Sequence, residues 1–363
     1  MNGLYILIAG FITSFLVVIF STPALIKVAK LKHLVDEPKE VRKSHRWSIP
    51  TIGGIVIFGS ILFSYSLWFP DEYSHISGML VNFKYIIASL ILLFFVGIKD
   101  DIIGTATLKK FISHLIVAYI LVVMGDLRIL DFNGLFGMDI QLEIWKSYLL
   151  SFFIYIVIAN AINLIDGLDG LASGIGLIST FTFGYLFFVS GDIPLALLSM
   201  VTAGSLLGFL VFNFAPAKIF MGDSGSLILG VILYVLAINI INVQSVSSVV
   251  WFEKLNKAVL AMSILAYPLL DTLRVFTIRI IRGNSPFKAD NNHIHHKLIR
   301  IGMSHTKAVF LLYSFSILII GLQIIWQVYF NIQNPTTIFF LQFLISFILI
   351  ISVFVFRDKK LPE

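Results

Sequence analysis

Long apolar runs constrain this chain more than any other feature. About twenty consecutive apolar residues cross a bilayer as a helix. Eleven segments approach that length, at approximately 4–26, 51–69, 83–99, 108–125, 148–165, 171–190, 193–212, 226–243, 256–278, 307–330 and 336–356. Of the 363 residues, 58% are hydrophobic and 13% charged, and mean hydropathy is +0.96, which excludes an ordinary soluble globular domain. Nothing alternates at period two, as the strands of a membrane barrel would. The fold class expected is an all-α polytopic membrane protein of about eleven transmembrane helices, with residues 1–363 as one integral membrane domain. The first run is too long for a signal-peptide core and lacks a small-residue cleavage site, so it is expected as a retained helix. Pro23 and Pro268 fall inside runs and are expected to kink them. Cysteine is absent, which removes disulfides and thiolate metal sites.

Charge sets the orientation. Of 26 Lys and Arg, only Lys84, Arg128, Lys146, Lys254 and Lys257 fall in the loops on one side, and the rest collect on the other. Basic loops stay cytoplasmic, so the N-terminus is expected outside and the C-terminus inside. The cytoplasmic loops are then about 27–50, 99–110, 163–171, 213–226 and 279–306, and every unusual polar cluster lies in them.

The densest cluster is Asn163-Leu164-Ile165-Asp166-Gly167-Leu168-Asp169-Gly170, entered through an apolar run that also carries Asn160. Intramembrane carboxylates are costly unless they meet water, a cation or a partner, and Asn163, Asp166 and Asp169, three apart, are expected to converge on one helix face. Asp100-Asp101 closes the third run and Lys109-Lys110 opens the fourth. Adjacent carboxylates repel, which suits a pair that holds a cation or takes a proton. Asp223 stands between Gly222 and Ser224-Gly225 before the eighth run, with Ser224 or Ser226 available as the N-cap and amides that suit phosphate. His293-Ile294-His295-His296-Lys297 follows Arg274, Arg279 and Arg282. It reads as a phosphate site, a headgroup-binding loop or, with too few ligands, a zinc site. Lys43 and His45 lie in a basic loop before Gly53-Gly54, a glycine pair suited to close helix packing. Acidic clusters, histidines and basic residues on one face suit a divalent cation and a polyphosphate, with lipid as the second reactant.

These motifs, in this order over roughly residues 35–305, resemble the polyprenyl-phosphate N-acetylhexosamine-1-phosphate transferases, and the branch that loads GlcNAc-1-phosphate onto undecaprenyl phosphate. The resemblance implies Mg²⁺, with Mn²⁺ as a substitute, a UDP-N-acetylamino sugar and undecaprenyl phosphate as substrates, release of UMP, and initiation of a cell-surface glycan such as O-antigen or teichoic acid. It implies a bacterial cytoplasmic membrane, a site facing the cytoplasm and no nucleic acid, and leaves homodimerisation open. By position, Asp223 would bind the metal, with Asn163 as second ligand. Asp100 would be the base or the nucleophile, and Asp101 and Asp166 would complete the acidic centre. Gly167, Leu168, Asp169 and Asn213 would hold the uracil, with Phe220 stacked on it. His293, His295, His296, Lys110, Lys43 and His45 would meet phosphates or sugar. The related phospho-N-acetylmuramoyl-pentapeptide transferase shares the aspartates and is the alternative enzyme. An ion-coupled transporter and a lipid-binding scaffold are the rivals from other classes; the first expects polar residues through the bilayer depth, the second needs no aspartates.

Overall fold

A computed structural model of the chain describes residues 3–36, 49–70, 77–138, 140–243, 249–283 and 292–355. It is a helical membrane bundle, and each apolar run falls on a helix or on two helices in succession. In order, these are α1 (Gly3–Leu31), α2 (Gly54–Trp68), α3 (Ser77–Ile103), α4 (Thr107–Ala118, continued as a π-turn over Tyr119–Met124), α5 (Ile144–Ile165), α6 (Leu171–Ser190) and α7 (Ile193–Asn213). Then come α8 (Gly222–Ile241), the short α9 (Val250–Glu253), α10 (Lys257–Ile264), α11 (Ala266–Ile281), the short α12 (Ile294–Arg300), α13 (His305–Ile324) and α14 (Pro335–Val355). Among the described residues, eight helices are individually long and apolar enough to cross a membrane, and α10 with α11 form a further, bent span. The only pairing of extended chain among those residues is a two-residue ribbon, Val35 opposite Pro50 and Asp36 opposite Ile49.

Local chemistry sets the helix ends. Asp192 accepts the Leu195 amide at 3.0 Å and Pro194 opens the first turn, so α7 begins there. Gly170 (φ 80°) and Gly191 (φ 85°) bracket α6 in the left-handed conformation that glycine adopts without strain. The two inner prolines behave differently. α1 runs through Pro23 without a break. Pro268, whose ring displaces the carbonyl four residues back, ends α10 at Ile264, and the chain turns by 75° into α11. Ser179 donates to the freed Ile264 carbonyl at 3.3 Å, so the break leaves that group paired.

α8 is the axis of the bundle. Almost all of it is buried, and α2, α3, α5, α6 and α10 pack around it. Its first turn lies level with the C-termini of α3 and α5 and the N-terminus of α4, so one end of the bundle gathers the polar motifs.

Candidate active site

The site is built on the N-terminus of α8. Gly222 (φ +69°) begins the helix where a Cβ would come within 2.7 Å of both Asp101 carboxylate oxygens, so glycine is required. Asp101, at the end of α3, accepts the Asp223 amide at 2.7 Å and the Ser224 amide at 3.0 Å. Asp166, just past α5, accepts the Gly222 amide. These carboxylates cap α8 from outside, in place of the Ser224 or Ser226 cap expected from the sequence. The correction extends to phosphate: the first amides of α8 are already taken by carboxylates, which a helix N-terminus favours as strongly.

With those amides occupied, the Asp223 side chain points away from its own helix end. Asn163 donates to its Oδ1 at 3.1 Å and to Ser226 Oγ at 2.9 Å. Its Oδ2 pairs with the Lys110 ammonium, which also reaches Asp100 Oδ2 at 3.1 Å. Asp100, Lys110 and Asp223 each keep about a fifth of their side chain exposed (21%, 23% and 21%), so the triad opens outward. Lys110, expected beside a phosphate, instead sits between two carboxylates.

The Asn163, Asp166 and Asp169 trio does not share a helix face. α5 stops at Ile165, Asp166 leaves helical geometry (φ −78°, ψ 36°) and Gly170 turns left-handed before α6, so each residue takes a separate partner. Asn163 goes to Asp223, Asp166 to the Gly222 amide, and Asp169 to the Ala217 amide at 3.0 Å. Asn160 donates to the Ile156 carbonyl of its own helix and stands outside the site. The Asp166 carboxyl is pushed well above its usual range, by burial first and then by Asp101 and Asp169.

The loop from Asn213 to Met221 is pinned on both sides. Asn213 accepts the Gly170 amide (3.2 Å) and the Ser173 hydroxyl (2.7 Å) and donates to the Ile219 carbonyl (2.9 Å). Three of its four hydrogen-bonding positions are therefore taken within the protein, and it shapes the loop. Phe220 donates its amide to Pro50 O at 2.8 Å and accepts from the Gly53 amide at 3.0 Å, while Gly54 donates to Met221 O at 2.9 Å. The Gly53-Gly54 pair lets α2 approach the backbone of α8, since a Cβ on Gly54 would overlap Ser224. Leu168 is buried under the turn, and Gly167 is exposed beside it.

The histidines form a second centre, organised by a residue that the sequence reading passed over. Asp271 of α11 is completely buried; it takes a hydrogen bond from His293 Nδ1 at 2.9 Å and another from the Ile294 amide at 2.9 Å, so it caps α12. Arg274 lies 3.4 Å from Asp271 and also donates to the Asn292 carbonyl. The signal was available, as Asp271 and Arg274 sit one turn apart in an apolar run. His293 stacks on His295 (5.4 Å), which packs on His296 (4.3 Å). His295 is buried, with Nδ1 3.5 Å from the Tyr267 hydroxyl; burial, then His296, lowers its pKa to about 3 and keeps it neutral. Its Nε2 would lie 3.0 Å from a Cβ on Gly167, which joins the histidine centre to the turn carrying Asp166 and Asp169. Lys43 and His45 lie outside the described residues.

A metal fits one place. Among the described residues no three His, Asp or Glu side chains converge as a ready cage. Asp100 and Asp223 nevertheless already hold a cation, the Lys110 ammonium, between two hard oxygen donors. Mg²⁺ commonly takes only one or two protein carboxylates and completes its shell with water and substrate phosphate.

The model of glycosyl transferase family 4 matches residues 83–241, from α3 through α8. The chain is similar to a probable undecaprenyl-phosphate N-acetylglucosaminyl 1-phosphate transferase of Bacillus subtilis, 33% identical over 85% of this chain and 81% of the relative. It is 34% identical to a decaprenyl-phosphate N-acetylglucosaminephosphotransferase of Mycobacterium leprae over 83% and 79%. It is also 27% identical to the undecaprenyl-phosphate alpha-N-acetylglucosaminyl 1-phosphate transferase of Escherichia coli K12 over 89% and 84%.

Proposed function

Because the chain belongs to glycosyl transferase family 4, we propose that it transfers N-acetylglucosamine 1-phosphate from UDP-GlcNAc to undecaprenyl phosphate and releases UMP. The observation that carries this reading is the carboxylate pair Asp100 and Asp223, drawn together around a cation at the mouth of the bundle. The activities for which the relatives are named supply the polyprenyl phosphate and the sugar phosphate. The excess of Lys and Arg on the same side supports a site facing the cytoplasm of a bacterial cell, where a glycan would be started.

In the proposed reaction an oxygen of the lipid phosphate attacks the β-phosphorus of the UDP-sugar. The new P–O bond forms as the bond from β-phosphorus to the bridging oxygen breaks, and UMP carries that oxygen away. Asp100 takes the proton of the lipid phosphate, a task Asp101 cannot share because both its oxygens hold amides. Mg²⁺ or Mn²⁺, held by Asp223 and Asp100, would neutralise the pyrophosphate charge. Asn163 fixes the Asp223 carboxylate, and Lys110 is left free to meet a phosphate once its carboxylates face another cation. His293, set by Asp271, and His296 present imidazoles to the sugar phosphate, while the half-exposed Phe220 and the Gly167–Asp169 turn serve the uracil. An apolar cavity of about 330 Å³, lined by Leu150, Ile154, Ile158, Ile238, Leu265 and Leu269, lies towards the opposite end of α8 and suits a distal stretch of the acceptor's isoprenoid tail rather than the units beside the phosphate.

The test is UMP release by purified protein with undecaprenyl phosphate, Mg²⁺ and, in turn, UDP-GlcNAc, UDP-GalNAc or UDP-muramoyl-pentapeptide. Lipid-dependent release with UDP-GlcNAc, lost in Asp223→Asn, is the expected result. Release only with the pentapeptide substrate would move the chain to the peptidoglycan branch. Release with none, from folded protein, would end the transferase reading.

A further inference from the structure

The opposite end of the bundle holds a second polar cavity that the transferase chemistry does not use. It measures about 270 Å³ and lies between the end of α2 (Tyr65, Phe69), the start of α3 (Asn82, Phe83), the turn before α7 (Asp192) and the last turns of α8 (Asn239). Sixteen helical residues separate Asp223 from Asn239, about 24 Å at 1.5 Å per residue, so this cavity is remote from the acid pair.

Its lining has a definite chemical character. Tyr65 is only 4% exposed, yet its hydroxyl has no hydrogen-bond partner among the described residues. The ring is buried and the hydroxyl opens into the cavity, where a ligand or water can meet it. The Tyr65, Phe69 and Phe83 rings form a continuous wall, with centroids 4.6 Å (Tyr65–Phe83), 5.5 Å (Tyr65–Phe69) and 6.0 Å (Phe69–Phe83) apart. Asp192 spends Oδ1 on the Leu195 amide at 3.0 Å and keeps Oδ2. Asn239 donates to the Val235 carbonyl at 2.8 Å, which leaves its own carbonyl oxygen over. The cavity therefore offers a carboxylate, an amide oxygen, a phenol and π faces, and among the described residues its lining includes no Lys, Arg or His.

We propose that this cavity is a binding site for a primary ammonium group. An ammonium has three donors for three oxygens and is attracted to aromatic faces within about 6 Å. An anion would be repelled by Asp192, and a wholly apolar occupant would strand the Asp192 and Tyr65 oxygens. The ammonium can come from an ethanolamine lipid headgroup at that membrane surface or from a free amine.

Two arms separate the sources. In the first, the melting temperature of the detergent-solubilised full chain is titrated with ethanolamine, against ethylene glycol and sodium chloride at matched concentration. In the second, native mass spectrometry counts the lipid retained from an equal mixture of phosphatidylethanolamine and phosphatidylglycerol. The expected result is saturable stabilisation by ethanolamine, selective retention of the ethanolamine lipid, or both, with affinity about tenfold weaker in Asp192→Asn. Asn caps a helix as well as Asp does, so α7 stays intact, and retained UMP release verifies the fold. Tyr65→Phe provides a second reading with the ring wall preserved. Stabilisation by the free amine assigns a soluble ligand, and retention of the lipid alone assigns the headgroup. No saturable response in either arm, or one unchanged in Asp192→Asn and Tyr65→Phe, overturns the proposal.

Discussion

Asp100 and Asp101 are neighbours in sequence with different work. Asp100 faces Lys110 and the open site; Asp101 holds two amides of α8. Asp100→Asn should therefore abolish UMP release with little change in melting temperature. Asp101→Ala should also unfold more readily, by about 1–3 kcal/mol for orphaned buried donors. Thermal melts beside activity assays on both variants check the split. Asp271→Ala should behave like Asp101→Ala, because the His293 ring and the Ile294 amide lose their acceptor together. His295 gives a pH signature. Its folded pKa, about 3, lies below the ordinary 6.5, so below pH 6.5 the unfolded chain binds a proton that the folded chain refuses. Stability should fall as pH drops from 6.5 towards 3, and His295→Gln should flatten that slope in melts between pH 7.5 and 5. The aspartates were legible as a group in the sequence. Their separate roles were not, because the amides that distinguish Asp101 arrive from 122 residues further along the chain.

At the scale of elements, the site depends on how closely α2 and α3 approach α8. A Cβ on Gly97 would lie 2.8 Å from the Asp223 carbonyl carbon and closer still to Ser224, and no flexible side chain can give way there. Gly97→Ala should push the α8 N-terminus off α3 and cost about a hundredfold in UMP release, while Gly59→Ala, with open space around it, should cost nothing. Comparing kcat for the two variants checks this. The helices themselves were readable from hydropathy, and so was Pro268 as a kink. The end of α5 differs from the expectation, because residues three apart look like one helix face until the helix is seen to end at Ile165, with Asp166 already outside it. The remote caps of α8 and α12 are tertiary, and no local pattern announces them.

Across the whole molecule, the acidic and histidine centres lie at one end, and the other end carries the separate polar cavity around Asp192 and Asn239. On the proposed function the cavity lined by Ile154 and Leu269 would take the distal part of the acceptor tail, and Val157→Trp, which projects into it, should raise KM for the polyprenyl phosphate and leave KM for the UDP-sugar unchanged. Initial-rate kinetics with each substrate varied in turn will tell. The polar motifs of the one end were legible in the sequence, but the polar cavity at the other end was not, because Asp192, Asn239 and Tyr65 are scattered singly along the chain. Nor was the apolar groove, since apolar residues fill every span and only packing distinguishes a gap from a contact. The grip of Asp271 on Ile294 has one more consequence. It works as a latch. One carboxylate on a span holds both the His293 ring and the first amide of α12, so the histidines are registered to α11 and move with that span rather than on their own.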